Sequence, residues 1–469
     1  MAIDNTIARD TICAISTPHG VGGIAVIRVS GPLAIEYTSA CWKGADLTSM
    51  KSHTAHLGKI LFADGEVLDE VVLTLFRAPN TFTGEDIVEI SCHGSIWIQQ
   101  QLVNRLIECG CRMATGGEFS QRAFANGRID LSQAEAIADV IASSSRASHR
   151  IAINQMRGAF SRQLASLRAQ LLDFVSLIEL ELDFSEEEVE FADRARLIDL
   201  ADHIHSIISR LSQSFAAGNV IKNGLPVVIV GETNAGKSTL LNHLLHDDRA
   251  LVSDIHGTTR DVIEDTITLQ GTLFRFIDTA GIRNTSETIE KMGIERTFKK
   301  IAEAQLVLWV IDGNTPLPKI TQLSHDLMHH TQGKQLIAVV NKDDSLSPQT
   351  RQALAQTLGT LLPPGTPITF ISAKCQTGTD HLQQLLIDAA AIPEADENQV
   401  IVTNARHYQA LIRAEQALTR AIQGLNDGIS GDFVSQDIRE TMHSLGEITG
   451  EITTTDILSN IFSRFCIGK

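Results

Sequence analysis

Eight consecutive residues, Gly231-Glu232-Thr233-Asn234-Ala235-Gly236-Lys237-Ser238, carry a spacing suited to phosphate chemistry. Glycines at the first and sixth positions let the backbone wrap phosphate oxygens with its N–H groups. Lys237 reaches the terminal phosphates, and the Ser238 hydroxyl ligates Mg²⁺. Val227-Val228-Ile229-Val230 before the loop reads as a buried strand, and Thr239-Leu240-Leu241-Asn242 after it opens a helix. That strand–loop–helix context separates a phosphate-binding loop from a chance glycine-rich turn.

Further polar clusters follow at the ends of apolar runs. Leu273–Ile277 leads into Asp278-Thr279-Ala280-Gly281, where the carboxylate can hold a metal-bound water and Gly281 can approach a γ-phosphate. Between this cluster and the phosphate loop, Ser253-Asp254-Ile255-His256-Gly257-Thr258-Thr259-Arg260-Asp261 offers hydroxyls suited to closing over γ-phosphate and Mg²⁺. Leu336–Val340 runs into Asn341-Lys342-Asp343-Asp344. The Asp344 carboxylate can accept from the N1–H and exocyclic amine of guanine, a donor pair that adenine lacks. Ser372-Ala373-Lys374, after the strand Ile368–Ile371, completes a base pocket.

In order and spacing these five elements resemble the Ras-like GTPase superfamily. The resemblance implies GTP contacts along Asn234 to Thr239, Ser253 to Thr259 and Asp278 to Gly281. It also implies contacts from Asn341, Lys342, Asp344, Ser372, Ala373 and Lys374. One departure matters for chemistry: Ile282 stands where Ras-like enzymes carry the glutamine that positions water. Hydrolysis must be organised differently, with transition-state charge neutralised by an arginine or another cation.

The elements that position these clusters can be read from pattern. Residues 1–122 alternate short β-rich runs (Ile24–Val29, Val71–Phe76, Ile87–Ile90) with turn signals and read as an α+β domain. From Ser132 to about Phe215 the apolar residues fall at helical spacing, with Leu164, Leu167, Leu171, Leu172, Val175, Ile178 and Leu182 at intervals of three and four. A linker around Asn219, Gly224 and Pro226 is expected to open an α/β unit, after which helical periodicity resumes. Two separate helical pieces would each need their own core. The economical architecture is therefore one all-α domain (123–221 and 385–469) with a Ras-like P-loop domain (222–384) inserted into it. The acidic stretch from Glu179 to Glu190 reads as solvated charge.

At 469 residues with 43% hydrophobic and 20% charged residues, the chain has room for about three ordinary domains. A formal charge of -17 argues against a broad basic surface for nucleic acid, though a local patch is still allowed. Seven scattered cysteines without a CxxC pair fit reduced thiols in a cytoplasm. No stretch has the length of a membrane span, and the reading is a cytoplasmic protein. Gly20-Val21-Gly22-Gly23-Ile24-Ala25 imitates a dinucleotide fingerprint but precedes a β-rich run, so it reads as a turn.

The terminal Cys466-Ile467-Gly468-Lys469, with Gly446-Glu447-Ile448-Thr449-Gly450, Gly84-Glu85-Asp86 and Gly117-Glu118-Phe119-Ser120, resembles the MnmE (TrmE) family of tRNA wobble-uridine modification GTPases. The resemblance covers essentially the full chain. It implies a homodimer joined through the N-terminal domains and a FAD-dependent partner, MnmG, in a heterotetramer. Together they would add a carboxymethylaminomethyl-type group to C5 of U34 in certain tRNAs, with 5,10-methylene- or 5-formyl-tetrahydrofolate as one-carbon donor. It further implies K⁺ held by Asn234, Ser253, Ile255 and Thr258, with Thr259 as second Mg²⁺ ligand beside Ser238. Glu290 is implied as the water-positioning residue, and Arg283 follows the second switch. Thr233 stands where many members carry proline. Folate positions map to Arg28, Glu89, Arg128 and Lys469; surface arginines and a strand-edge glutamate are the bland alternatives. Cys466 is either catalytic or a small apolar residue. A stand-alone regulatory or ribosome-assembly GTPase shares the nucleotide site, but the N-terminal domain and the tail argue against it.

Overall fold

A computed structural model describes residues 10–183, 194–248, 265–277, 300–390, 400–452, 458, 461–462, 465 and 468. Two compact units emerge: Met1–Ile141, Ile153–His205 and Ala410–Lys469 form the first, Ala142–Ala152 and Ser206–Gln409 the second.

The first unit opens with strands β1 (Ile12–Ile15), β2 (Ile24–Ser30), β3 (Trp42–Lys43), β4 (Thr54–Leu61), β5 (Val67–Phe76), β6 (Ile87–His93) and β7 (Arg112–Met113). They form one sheet in the order β3-β4-β5-β6-β2-β1-β7, antiparallel except where β1 meets β7. Alternation along β2 buries Ala25, Ile27 and Val29 beneath helices α1 (Ala34–Ser39) and α2 (Ile96–Glu108). Ile24, Val26 and Arg28 consequently belong to the opposite face. Helix α3 (Glu118–Ala125) covers part of that face, packing Phe119 against Ile12, Ala14 and Ala114.

Behind α3 lies an ion cluster centred on a buried arginine. Arg122, 1% exposed, donates to Asp10 Oδ1 at 2.5 Å, Glu118 Oε1 at 3.0 Å and Glu85 Oε1 at 3.2 Å. Arg112 bonds Glu118 at 2.5 Å and Asp10 at 2.6 Å. Burial works against ionisation of Glu118, but Arg112, the Thr115 N–H and Arg122 outweigh it and hold the carboxyl below its ordinary value. Asp10 is depressed in the same way, burial being overcome by Arg112 and Arg122.

Helices α4 (Leu131–Ala142), α5 (Arg146–Met156), α6 (Ala159–Asp183), α7 (Arg194–Gln213) and α8 (Phe215–Asn223) follow. Asp130 caps α4, its carboxylate accepting from the Gln133 N–H at 2.9 Å. The expected linker around Asn219 is corrected here. Helix α8 runs through Asn219 and ends only at Gly224, whose φ of +81° breaks the helix; Pro226 already lies in a strand.

The second unit contains β8 (Leu225–Val230), β9 (Asp265–Leu269), β10 (Thr272–Phe276), β11 (Leu306–Asp312), β12 (Gln335–Asn341) and β13 (Ile368–Phe370). Helices α9 (Lys237–Asp248), α10 (Leu317–His330), α11 (Pro348–Leu361) and α12 (Thr379–Ala390) connect and flank them. The sheet order is β13-β12-β11-β8-β10-β9, parallel except for β9 against β10. Val227 and Ile229 face a core with Leu240, Leu244, Leu382 and Leu386, while Val228 and Val230 face one with Ile320, Leu327, Leu354 and Leu358. Burial on both faces explains why β8, β11 and β12 read as continuous apolar runs. This is the Ras-like arrangement, and the chain reverses its direction across the sheet at β8, where ligands of open α/β sheets bind.

The chain closes with α13 (Ala405–Asn426) and α14 (Gly431–Thr449), the latter ended by Gly450 in the left-handed conformation. Within the first unit α14 packs along α6, and ion pairs Arg168–Glu451 and Arg439–Glu179 flank the contact. Further on, Phe462 and Phe465 pack with Phe124 and Leu131. Among the described residues no helix is long and apolar enough to cross a membrane.

Candidate functional site

The phosphate loop leaves β8 at Gly231 and enters α9 at Lys237. Two positions require glycine. At Gly231, with φ +151°, a Cβ would lie 2.1 Å from the Val310 carbonyl oxygen. At Gly236, with φ +97°, it would lie 2.0 Å from Asn341 Nδ2. Lys237 Nζ donates to the carbonyls of Gly231 at 2.8 Å and Glu232 at 2.7 Å, curling back over the loop. Burial pulls its ammonium below the usual lysine value, with the Glu232 charge acting the other way. Ser238 and Thr239 occupy the first turn of α9, where backbone N–H groups and the helix dipole favour anions.

The residues expected to recognise the base converge on this loop. Asn341, at the end of β12, is 3% exposed. Its Nδ2 donates to the Ala235 carbonyl at 2.8 Å, and its Oδ1 accepts from the Ala373 N–H at 2.9 Å. Asp344 accepts from the Ser372 hydroxyl at 2.5 Å, and that hydroxyl accepts from the Cys375 N–H at 3.1 Å. Lys342 takes the left-handed conformation, φ +67°, and its Nζ reaches Asp312 at 2.6 Å. Burial opposes ionisation of Asp312, but Lys342 and the Asn314 N–H outweigh it and keep the carboxyl below its ordinary value. Asn234 has φ +66° and is exposed, as is Lys374.

Several expected residues lie outside the described ones: Ser253 to Thr259, Asp278 to Gly281, Arg283, Glu290, Cys466 and Lys469.

A second cluster sits on the N-terminal sheet. Arg28 and Glu89 are directly opposed in the β2–β6 register. Glu89 Oε1 accepts from Arg28 Nη2 at 2.7 Å and from Nε at 2.9 Å. The guanidinium also lies over the rings of Phe82 at 5.5 Å and Phe119 at 5.7 Å. Arg128 Nε donates to the Thr81 carbonyl at 3.2 Å, and a Cβ at Gly84 would meet the Arg128 side chain at 3.2 Å. The tail returns to the same sheet: the Gly468 carbonyl accepts from Ser16 Oγ at 3.2 Å, and a Cβ at Gly468 would lie 2.3 Å from the Ile15 carbonyl oxygen.

Residues 131–466 match the family model described as MnmE helical domain, and residues 11–128 match that described as GTP-binding protein TrmE N-terminus. A Bacteroides thetaiotaomicron protein named tRNA modification GTPase MnmE is 56% identical over 465 residues, covering 98% of this chain and 100% of that protein. The chain belongs to the MnmE family. A Porphyromonas gingivalis protein of the same name is 50% identical, with 100% of each chain covered. One from Flavobacterium johnsoniae is 48% identical, covering 99% of this chain and 100% of that protein.

Beyond the residues expected of an MnmE-family chain, the two sites contain partners that motif reading passes over. Phe82 and Phe119 hold Arg28, Asp312 holds Lys342, and Lys319 holds Glu232 at 2.5 Å. Arg28 and Glu89 themselves were expected only through the family resemblance, and their pairing left no local signal.

Proposed function

We propose that this chain hydrolyses GTP and couples hydrolysis to modification of the wobble uridine, U34, of tRNA. The observation that carries the nucleotide reading is Asn341, which links phosphate loop and base pocket through Ala235 and Ala373. Steric fit supports it as well: the space beside Gly231 and Gly236 closes if a Cβ is added. Family membership supports coupling to tRNA, since relatives over nearly the full length carry the name tRNA modification GTPase.

In this reading Ser238 and Thr259 would hold Mg²⁺, and Lys237 would turn from its own loop's carbonyls to the terminal phosphates. Asp344 would accept from guanine, with Ser372 fixing its carboxylate. Asn234, Ser253, Ile255 and Thr258 would hold K⁺, which supplies positive charge where an arginine acts in related enzymes. Glu290 would orient the attacking water, with Arg283 beside the second switch. Arg28, Glu89, Arg128 and Lys469 would bind a reduced folate, 5,10-methylene- or 5-formyl-tetrahydrofolate, with Cys466 at its edge. The functional unit is a cytoplasmic homodimer working with MnmG, its domains bounded at residues 1–122, 123–221, 222–384 and 385–469.

The test compares GTP turnover in KCl and NaCl and asks whether the chain restores U34 modification in a deletion strain. Potassium-independent turnover without restored modification sinks the reading. Glu290→Ala is expected to lower turnover at least a hundredfold with nucleotide affinity nearly intact; equal loss of binding refutes the role given to Glu290.

A further inference from the structure

We propose that Asp312 is a positioning residue for base selection: it holds Lys342 in the left-handed turn that aims Asp344, and so sets the preference for guanine. This rests on the reading that the segment after β12 recognises the base. Register brings the groups together, because Asp312 and Asn341 end the parallel strands β11 and β12 side by side. From Asn341 the chain turns sharply, with Lys342 at φ +67° and Asp343–Ser345 forming a single 3₁₀ turn. A Cβ makes the left-handed conformation costly, and a lysine has no local hydrogen bond of its own to offset it. Other groups must hold the turn.

A closed circuit of side-chain bonds does so. Lys342 Nζ reaches Asp312 Oδ2 at 2.6 Å. Asp312 Oδ1 accepts from the Asn314 N–H at 3.0 Å and from Asn314 Nδ2 at 3.2 Å. Asn314 Nδ2 also donates to Ser345 Oγ at 2.9 Å, and that hydroxyl donates to the Lys342 carbonyl at 2.8 Å. The circuit starts and ends on Lys342, gripping its ammonium at one end and its backbone at the other. Backbone bonds tie the same turn to its neighbours: the Gly313 N–H donates to the Asn341 carbonyl at 2.9 Å, and the Asp343 N–H to the Ile371 carbonyl at 3.0 Å. A Cβ at Gly313 would lie 2.7 Å from Leu346 Cδ1, so glycine lets the segment after β12 fold back against the end of β11.

An exposed ion pair alone contributes little. Here both partners are partly buried and each Asp312 oxygen has its own donor, so loss of the carboxylate opens the whole circuit. Asp344 stands two residues past Lys342, and its Oδ1 accepts from the Ser372 hydroxyl. Ser372 therefore fixes the side chain, while the Asp312 circuit fixes the backbone that carries it. With the backbone released, the carboxylate keeps Ser372 but no longer meets the N1–H and exocyclic amine of guanine together.

The experiment uses the full chain and measures GTP and ITP binding by competition against a fluorescent GDP analogue, with GTP turnover alongside. ITP lacks the exocyclic amine, so the ratio of the two affinities reads how well Asp344 is aimed. Asp312→Ala is expected to weaken GTP binding about tenfold, to raise the KM for GTP with little change in kcat, and to reduce the preference for GTP over ITP at least about threefold. Asp312→Asn keeps an acceptor for Asn314 and should lose less of each. Lys342→Gly removes the cost of the left-handed turn together with the ammonium, so adding Asp312→Ala to it should change GTP affinity by less than about twofold. Thermal melting without nucleotide checks that each variant folds; a general loss of stability would weaken both nucleotides alike and leave their ratio unchanged. An unchanged GTP-to-ITP ratio in folded Asp312→Ala, or a full Asp312→Ala effect in the Lys342→Gly background, overturns the proposal. Asp344→Asn tests the underlying reading with GTP and xanthosine triphosphate. If neither affinity changes, that reading fails and takes this proposal with it; if both change and Asp312→Ala keeps the wild-type ratio, the proposal alone fails.

Discussion

Asn341 donates its side-chain amide to the backbone carbonyl of Ala235 at 2.8 Å, so the segment that follows β12 and the Gly231–Ser238 loop share a buried bond. Replacing Asn341 by Ala strands that carbonyl and the Ala373 N–H together. Loss of buried pairing on this scale costs about 1–3 kcal/mol. Affinity for a fluorescent GDP analogue is expected to fall by about one to two orders of magnitude, as measured by equilibrium titration.

Gly236→Ala attacks the same junction from the other side. The new methyl would lie 2.0 Å from Asn341 Nδ2 at a backbone φ of +97°. Nucleotide binding should be lost while thermal melting of the first compact unit stays within a few degrees of wild type. Retained binding would show that the loop relaxes to admit a side chain.

Asp344→Asn replaces one carboxylate oxygen by an amide donor, while the remaining oxygen can still accept from the Ser372 hydroxyl that Asp344 meets at 2.5 Å. GTP affinity should drop about a hundredfold or more, because a site built for hydrogen bonding rejects a mismatched partner strongly. Xanthosine triphosphate, which carries a carbonyl where guanine has its amine, should bind the variant more tightly than the wild type. Competition between the two nucleotides reads the switch directly.

The charges around buried Arg122 give a pH signature. Glu118 and Asp10 have folded values below their ordinary carboxyl values. Their stabilisation is complete above the unfolded values of about 4, and it fades as pH falls through the lower folded values. Arg112→Leu removes a partner of both, so its acid-unfolding midpoint should lie at higher pH than that of the wild type. Arg122→Met takes away the cation shared by Glu118, Glu85 and Asp10, while Arg112 still pairs Glu118 and Asp10; a loss of stability of about 1–3 kcal/mol is expected, to be read from urea unfolding.

Much of this is legible in the sequence. Apolar runs such as Val227–Val230 and Leu336–Val340 announced strands because both sheet faces are covered, and the polar residues directly after them marked the switch-point edge of that sheet. The turn reading of Gly20 to Gly23 also agrees with the structure. Less legible were relationships that depend on strand order. Arg28 and Glu89 are 61 residues apart and meet because β2 inserts beside β6, which no local pattern encodes. The bond between Lys342 and Asp312 depends on a left-handed backbone at a non-glycine residue, a conformation that composition does not advertise. The end of α8 is not legible locally, because Asn219 resembles a linker residue while its neighbours Val220 and Ile221 are buried and keep the helix intact.

The bond from Ser16 to Gly468 joins residues 452 positions apart. At about 5–20 residues per second, synthesis of the intervening chain takes roughly 20–90 s. The N-terminal sheet must therefore wait for this contact until 452 further residues have been made, with the backbone near Ile15 uncovered meanwhile.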